Sequence, residues 1–591
     1  MGAEKIVATA QREDRELGRA RMHGAPKGFD RWLLRCTGAP GLVLGAFGVA
    51  ALGLSCRGQL SDACDGLGTC APSARADASV EASSDTSSCD PTKDPKDEPC
   101  VLDGAYGVFV ASAGGDAGAG SVGSGVAGSD GTAERPYASI GQALANLAGK
   151  SRVYVCNGVY AEQVSITVAV SVYGGLSCAA GSASRVWSYV GQSAQVTAPP
   201  AAYALFVTGV QQGSVTIEDM SFAAPDATGP GTSSIAALIA SSPVRLERVA
   251  LSAGNGAEGA PGADGAQNPN YTGAAPTGGS QVSAGPPGSG VFNVTGGAGA
   301  VNNCTLFGMS AGGDGGLGCG SDGGTSGLGS PGTATPSAPV TMAGRDGLPR
   351  GTILLDAGGA ATLSDDPGAD GVATDGGVAA PAQDYGALSA GGWVPSSGSD
   401  GSPSDPGQGG AGATDPNYGQ CGTSTQSIGG GGGGAGGCGG AGGNGGGGGG
   451  GSIALASVAS NVTLTACSLN TADGGTGGAG GAGQDGQAGA QGGDTSFPSA
   501  HAAGASGGNG AGGSGGAGGT GGISVGVLAS GSTIMMDEPT AQNRRLGAPG
   551  AGGAAGPGGG HGSAGALTTG VDGNSGASGS AGTAVAVLTL M

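Results

Sequence analysis

The chain has few of the residues from which catalytic sites and large cores are usually built. Its 591 residues include only 3 His, 3 Trp and 8 Phe, and charged residues make up 11%. A core must therefore come from short runs of Val, Ile, Leu and Ala. Basic residues are also scarce, because 22 Lys and Arg stand against 43 Asp and Glu, a net charge of −21. This balance argues against nucleic-acid binding by phosphate neutralisation.

Glycine is abundant instead, with 138 residues, more than three times its usual share of about 7%. The stretch Gly429–Gly451 reads GGGGGGAGGCGGAGGNGGGGGGG, and its four other residues are spaced three apart. A polyproline-II helix has three residues per turn, so the side chains share one edge and two edges are bare. Bare edges let backbones approach and hydrogen-bond. Two outcomes stay open: a bundle of such segments, or disorder, because glycine is the costliest residue to order.

The N-terminus has the parts of a secretory signal. Lys27, Arg31 and Arg35 precede the uncharged run TGAPGLVLGAFGVAALGLS, which ends at Cys56. The residues LGLSC resemble a bacterial lipobox, with Gly53 at the position where leucine is usual. This resemblance implies lipidation of Cys56 after cleavage. Ordinary secretion and a retained membrane anchor are the alternatives.

Cysteine usage agrees with export. Eleven cysteines follow Cys56, and none forms a C-x-x-C pair, so disulfides are expected rather than a metal site. Composition divides the chain into a signal peptide over 1–56, a flexible Cys-containing tether over 57–100, first coils with their cap over 101–252, and further coils interrupted by Gly-rich insertions over 253–591.

One short helix precedes the first strands. Ser139 and Gln142 form a capping box. The apolar residues that follow are spaced as one helical stripe, and they are Ile140, Ala143, Leu144 and Leu147. A helix with a single apolar face must cover something. We expect it to cap the open end of the strands that follow, where edges and apolar residues would otherwise face water.

A short apolar pattern then recurs along the chain. Val215-x-Ile217-x-x-Met220-x-Phe222 is repeated from Val244 and from Val462. A partial copy involves Val301, Cys304 and Leu306, and a weaker one lies within 521–536. Two apolar alternations joined by a two-residue step predict strands that meet at a corner, as in one coil of a solenoid. An antiparallel sandwich is the competing fold, but the regular Asn-Gly or Asp-Gly hairpin loops that it needs are missing.

A family resemblance supports the solenoid. DGTAERPYASIGQAL, followed by VYVCNGVYAEQVSI and VYGGLSC, resembles the N-terminal cap and first coils of pectin-lyase-like right-handed β-helices, over about residues 129–252. The Gly-rich stretches resemble those of PGRS-like proteins in composition. The resemblance implies an all-β chain: a right-handed parallel β-helix with an N-terminal capping helix and long Gly-rich loop insertions.

A disulfide between Cys156 and Cys178 follows from the expected stacking. The two cysteines end successive strands and lie 22 residues apart, a plausible coil length. Equivalent positions on adjacent coils stack about 4.8 Å apart, within the usual Cα separation of a disulfide. A pair of buried thiols is the alternative.

Candidates for catalysis or metal binding are weak. His23 lies in the signal region, and His501 and His561 lie in Gly-rich segments. Asp365-Asp366 and Gly560-His561-Gly562 are the residue types of β-helix pectin hydrolases, but they are nearly 200 residues apart. GAPGADGAQ and GGAGQDGQA approach a calcium nonapeptide around Asp264 and Asp485 without tandem repetition. We therefore predict no catalytic residues, no metal and no cofactor.

Together these features predict a non-catalytic surface protein with a structural, adhesive or matrix-contacting role. It would be exported to the outer membrane or cell surface, through a lipid anchor in the membrane, or secreted. Extracellular polysaccharide and other surface proteins are its expected partners, and nucleic acid is not. The alternative is a β-helix that binds or cleaves carbohydrate. A cleft where several acids converge would favour that alternative.

Overall fold

The computed structural model describes residues 89–112, 128–180, 185–266, 275–278, 296–304, 308–316, 384–413, 430–493, 503–563 and 570–590, and the backbone of three short strands at 333–335, 353–355 and 361–363. The sequence predictions for His23, Cys56, Asp365, Asp366 and His501 lie outside these ranges.

The described residues are nearly all β. Helix is limited to α1 (Ile140–Ala145), α2 (Glu538–Gln542) and the 3-10 turn Pro99–Val101. None of the described helices is long and apolar enough to cross a membrane.

Most of the described strands belong to three parallel sheets. The first sheet has the order β1 (Gly107–Val110), β2 (Arg152–Cys156), β5 (Ser171–Ala180), β9 (Val215–Glu218), β12 (Pro243–Glu247), β22 (Asn461–Thr465) and β25 (Thr533–Met536). The strand β6 (Arg185–Gln192) is added to it by antiparallel pairing with β5.

The second sheet contains β3 (Val159–Ala161), β7 (Ala194–Thr197), β10 (Met220–Ala224), β13 (Ala250–Ala253), β23 (Ser468–Thr471) and β26 (Arg544–Arg545). The third contains β4 (Val164–Ile166), β8 (Leu205–Thr208), β11 (Ser234–Ala240), β21 (Ser452–Val458), β24 (Ser524–Ser530) and β27 (Ala584–Leu590). From β2 onward the chain passes through the first, second and third sheets in turn, and it does so repeatedly.

The repeated sequence pattern sets the register of these sheets. Val244 pairs with Val215 on one side and with Val462 on the other. The step between the first and second sheets is made by one residue in the left-handed region, at Asp219 (φ 53°), Arg248 (φ 54°) and Ala466 (φ 52°). The apolar repeat therefore predicts both the strands and the corner between them.

The partial copy at Val301 was predicted to be a further coil, and that prediction is wrong. β14 (Val301–Cys304) pairs antiparallel with β15 (Gly308–Ala311), which pairs antiparallel with β16 (Thr333–Thr335). These strands lie inside one long excursion between β13 and β21, which also contains the antiparallel pairs β17 (Ile353–Leu355) with β18 (Ala361–Leu363) and β19 (Gly386–Ser389) with β20 (Gly392–Pro395). A lone apolar pair without a following strand to stack on forms a local hairpin instead.

The apolar side chains of the sheets form one large core, and α1 packs against it. Ile140 and Ala143 are fully buried in this core, and Leu144 and Leu147 pack against its edge. The Ser139 hydroxyl accepts the N–H of Gln142 at 3.1 Å. Glu162, distant in sequence, accepts the N–H groups of Ile140 at 2.8 Å and Gly141 at 2.9 Å. A carboxylate on two free N–H groups stabilises the start of the helix.

The end of the expected tether lies on the first sheet. The Arg152 guanidinium donates to the carbonyl of Lys93 at 2.9 Å and also to that of Pro91. The Tyr154 hydroxyl donates to the Val101 carbonyl. A disulfide, Cys89–Cys100, closes this segment on itself.

Candidate functional site: the glycine bundle and the charged corner

The Gly-rich stretches are ordered against one another wherever they are described. Their long segments lie side by side and are linked by backbone hydrogen bonds; we call them the glycine bundle, and they are 254–266, 396–413, 430–451, 472–493, 503–523, 546–563 and 570–583. The later ones leave a strand of the second sheet and return to a strand of the third. The bundle is therefore a continuation of the sheets, not a separate domain.

Hydrogen bonds within the bundle follow a period of three. The N–H groups of Gly440, Gly443 and Gly446 donate to residues 511, 514 and 517 at 2.8–2.9 Å, so these two segments run parallel. Those of residues 475, 478 and 481 donate to residues 450, 447 and 444, so these two run antiparallel. Three residues per turn is the repeat of a polyproline-II helix, whose hydrogen bonds must come from neighbours.

The spacing between backbones requires glycine. A Cβ on Gly478 would lie 2.0 Å from the carbonyl oxygen of Ala260, and one on Gly443 would lie 2.2 Å from that of Gly481. Separations this short exclude any side chain unless a neighbouring segment moves. The central segment 430–451 bonds to four other segments of the bundle, which are 254–266, 396–413, 472–493 and 503–523, and also to residues 276, 297, 300, 313 and 316.

Two aspartates of the calcium-like motifs serve the bundle as hydrogen-bond acceptors. Asp264 accepts the N–H of Ala482 at 2.8 Å, and Asp485 accepts that of Gly560 at 2.6 Å. A related ladder runs through Asp226, Asn255 and Asp473, where each side chain accepts the N–H of the next layer at 2.7–3.0 Å. These side chains fix the register of successive Gly-rich segments.

His561 is also part of the bundle rather than of a catalytic group. Its Nδ1 lies 2.6 Å from the Asp572 carboxylate, which also accepts the His561 N–H at 3.0 Å. Hydrogen bonds from the His561 side chain and backbone hold the pKa of Asp572 below its usual value. This contact joins the segments 546–563 and 570–583 at their connected ends.

Acidic side chains converge at one place, the corner between the first and second sheets. The Arg248 Nε and Nη2 bond both oxygens of Asp219, at 2.8 and 2.9 Å. Its Nη2 reaches Glu218 at 2.9 Å, and its Nη1 contacts Glu247. Arg245 reaches the other oxygen of Glu247 at 2.6 Å. We call this set the charged corner.

The charged corner contains one carboxyl that binds its proton tightly. Burial, followed by the charges of Asp94 and Glu247, raises the pKa of Glu218 to about 7. A protonated acid beside an ionised one is an arrangement used in general acid–base catalysis. Here, however, the bidentate guanidinium of Arg248 occupies the Asp219 carboxylate, so that group is held in an ion pair instead of facing a substrate.

The structure pairs Cys156 with Cys178, with a Cα separation of 5.7 Å. Their register differs from the expected one, because Cys156 lies opposite Leu176 across an irregularity in the β2–β5 pairing. A third disulfide, Cys304–Cys438, ties β14 to the central segment of the bundle. Cys467 is buried and not disulfide-bonded, and burial raises its pKa to about 11.

Sequence reasoning missed the charged corner although its signal was present. Glu218-Asp219 and Glu247-Arg248 occupy the same two positions of successive apolar repeats, so stacking the repeats places Asp219 beside Arg248 and Glu218 beside Glu247. No protein-family model, curated protein or solved structure matches this chain.

Proposed function

We propose that the protein is a non-catalytic surface protein in which a right-handed parallel β-helix carries a rigid glycine bundle away from the membrane. In this proposal the three sheets are the faces of the β-helix, and α1 closes its N-terminal end. A lipid on Cys56 anchors the exported chain to a membrane. The bundle and the sheets contact extracellular polysaccharide or other surface proteins.

The glycine bundle is the observation that supports a structural role. In its inner segments the backbone of one segment packs against the backbone of the next. These segments therefore place few reactive side chains on the surface. Segment 507–523 is buried throughout, and the added Cβ distances leave no room for substitution. Such a block stabilises shape and length, because its cohesion comes from regular main-chain hydrogen bonds. A binding or catalytic site needs convergent side chains instead.

The anchor is tested by expressing the full chain and its Cys56→Ser variant, with Cys64→Ser as the matched control. We expect a labelled fatty acid to be incorporated into the natural chain and the control, and lost in Cys56→Ser. Protease added to intact cells should cleave the anchored chain at the surface. A chain that carries no lipid and stays inside the cell contradicts the proposal.

Polysaccharide cleavage is the competing function, and the charged corner is the observation that favours it. Incubation of the purified chain with polygalacturonate and related acidic glycans tests it by the release of new reducing or unsaturated ends. The proposal predicts no turnover. Turnover that is lost in Asp219→Asn, and kept in Asp485→Asn, would assign catalysis to the corner and overturn the structural role.

A further inference from the structure

Residues 89–103 lie on the first sheet, and we call them the strap. They contain one 3-10 turn and no strand, so side chains attach them to the sheet instead of a β ladder. The Arg152 guanidinium donates to two carbonyl groups of the strap, and the Tyr154 hydroxyl donates to that of Val101. Val101 is fully buried, and Leu102 packs against the buried aromatic cluster that contains Tyr154. The strap is therefore a separate layer that can open while the sheet stays intact.

An acidic side chain of the strap meets a buried acid of the sheet. Strand pairing places Tyr173, Glu218 and Glu247 side by side on β5, β9 and β12. Asp94 lies over this row, with its side chain within hydrogen-bonding reach of Glu218, and we call these two residues the carboxyl pair. The Glu218 side chain is only 8% exposed. Two carboxyl groups hydrogen-bond to each other only while one of them carries a proton, and they repel each other when both are ionised.

The positive charge next to the carboxyl pair is shared among several acids. Arg248 bonds both oxygens of Asp219, at 2.8 and 2.9 Å, and contacts Glu247. Its Nη2 also lies 2.9 Å from Glu218. Glu218 thus shares one guanidinium with two other acids, while Asp94 brings a further negative charge from the strap. This balance favours a proton on the carboxyl pair.

The other neighbours of the carboxyl pair keep one charge state around neutral pH. Burial raises the pKa values of Tyr173 on β5 and Tyr189 on β6, so both phenols stay protonated. Arg152 on β2 lies 5.4 Å from the centroid of the Tyr173 ring, and Arg245 on β12 bonds Glu247 at 2.6 Å. A guanidinium stays charged throughout this range. The carboxyl pair is therefore the group that titrates between the strap and the sheet.

We propose that the strap is a pH-sensitive clamp, closed on the first sheet while the carboxyl pair shares a proton and opened more often once both groups are ionised. Burial, followed by the charges of Asp94 and Glu247, raises the pKa of Glu218 to about 7, so the change falls near neutral pH. In the open strap both side chains reach water, where a carboxyl loses its proton at lower pH. Closing is therefore favoured most at low pH, and this advantage is lost as pH rises through the pKa of the closed state. The bonds of Arg152 and Tyr154 persist in this range, so pH alters how often the strap opens and does not detach it.

Hydrogen exchange of the purified full chain at pH 5 and pH 8 tests the clamp, after correction for the intrinsic exchange rate at each pH. The strap has internal hydrogen bonds to follow, from the Glu98 N–H to the Asp94 carbonyl at 3.0 Å and from the Val101 N–H to the Glu98 carbonyl at 3.2 Å. Their protection should fall at least about fivefold from pH 5 to pH 8, a pKa difference of just under one unit between the closed and open strap. The strap should also exchange faster than β5 and β9 at both pH values. Equal protection of the strap at the two pH values, or equal protection of the strap and the two strands, overturns the proposal.

Variants assign the pH response to the carboxyl pair. Glu218→Gln and Asp94→Asn each leave a neutral amide that can donate to the remaining carboxylate, so strap protection should differ less than about twofold between pH 5 and pH 8. Asp97→Asn is the matched control, because Asp97 is an exposed acid of the same strap whose N–H donates to Asp94 at 2.9 Å. It should keep the response of the natural chain.

A natural response in both carboxyl variants overturns the proposal. Loss of the response in Asp97→Asn overturns it too, because the total charge of the strap would then set the opening. The measurement needs no lipid on the chain, so its outcome is independent of the Cys56 experiment.

Discussion

The α-carbon of Gly440 lies against the carbonyl of Gln484, so that a Cβ on Gly440 would be 2.0 Å from the Gln484 oxygen. The Gln484 N–H in turn donates to the Ala441 carbonyl at 2.8 Å. The close contact and the hydrogen bond therefore join the same two segments, 430–451 and 472–493. The packing that this hydrogen bond stabilises leaves no room for a side chain at Gly440. In this bundle, glycine is required because neighbouring segments of the chain lie so close together, and not because the backbone adopts a positive φ.

Gly440→Ala should destabilise the bundle, because one of two hydrogen-bonded segments must move. We expect a loss of roughly 2–4 kcal/mol in the free energy of unfolding, measured by chemical denaturation. Gly560→Ala is the matched control, since a Cβ there meets its nearest atom at an ordinary 3.4 Å. Equal stability of the two variants would show that the segments are not packed as described.

The spacing of glycine along a segment indicates whether that segment lies inside the bundle or on its surface. Segment 430–451 reads mostly G-G-x and is surrounded, whereas segment 570–583 has glycine only at every third place, at Gly570, Gly573, Gly576, Gly579 and Gly582, and lies on the surface. Segment 430–451 is hydrogen-bonded to four other segments of the bundle, whereas segment 570–583 is hydrogen-bonded to two, 503–523 and 546–563. The sequence could have predicted this order from the third-residue period.

Other features were beyond sequence reasoning for physical reasons. The apolar repeats predict strands and corners, because each apolar residue of one repeat pairs with its own counterpart in the next repeat. The position of Trp393 has no such signal, since the β19–β20 hairpin reaches the third sheet from within an irregular excursion. The contact of Glu162 with the start of α1 was missed for a different reason, because its partner residues lie more than 20 positions away in the sequence.

The disulfides can be checked by peptide mapping without reduction. We expect the pairs Cys89–Cys100, Cys156–Cys178 and Cys304–Cys438. Cys467 should resist alkylation in the folded chain at pH 8 and react after denaturation, because burial raises its pKa to about 11. A link between Cys156 and any other cysteine would contradict the register of β2 and β5.

Removal of the Cys304–Cys438 bond should cost more than removal of the Cys89–Cys100 bond. The first closes a loop of 134 residues and the second a loop of 11. Chain entropy then gives about 5 and about 3 kcal/mol respectively. The comparison uses the double serine variants and the shift of the denaturation midpoint, and the reverse order would show that loop closure does not dominate.

Ile140→Ala should expose the end of the core below α1. Ile140 is fully buried in the core, while Leu144 is only partly buried against it. Truncation of a buried isoleucine costs roughly 2–5 kcal/mol, and Leu144→Ala should cost less. Hydrogen exchange should also become faster in β1 and β2, which contact α1. Unchanged exchange there would show that α1 does not protect this end.

The charged corner should make stability depend on pH through Glu218. Its pKa rises from 4.5 to about 7 in the folded chain. Between these two values the folded state keeps the proton and the unfolded state has released it, so the free energy of unfolding falls as pH rises through this window. Below and above the window the contribution of this group is constant.

Glu218→Gln cannot ionise, so it should lack this fall. Relative to the natural chain, the variant should gain about 1–2 kcal/mol on going from pH 5 to pH 8, after allowance for solvent screening. Urea denaturation at the two pH values measures the difference. Glu247→Gln is the comparison, because the charge of Glu247 is a smaller cause of the raised pKa of Glu218 than burial is, and this variant should gain less. Equal gains in the two variants between pH 5 and pH 8 would show that Glu218 does not hold the proton at this corner. The ion pair of Arg248 with Asp219 would then be the main interaction of the charged corner.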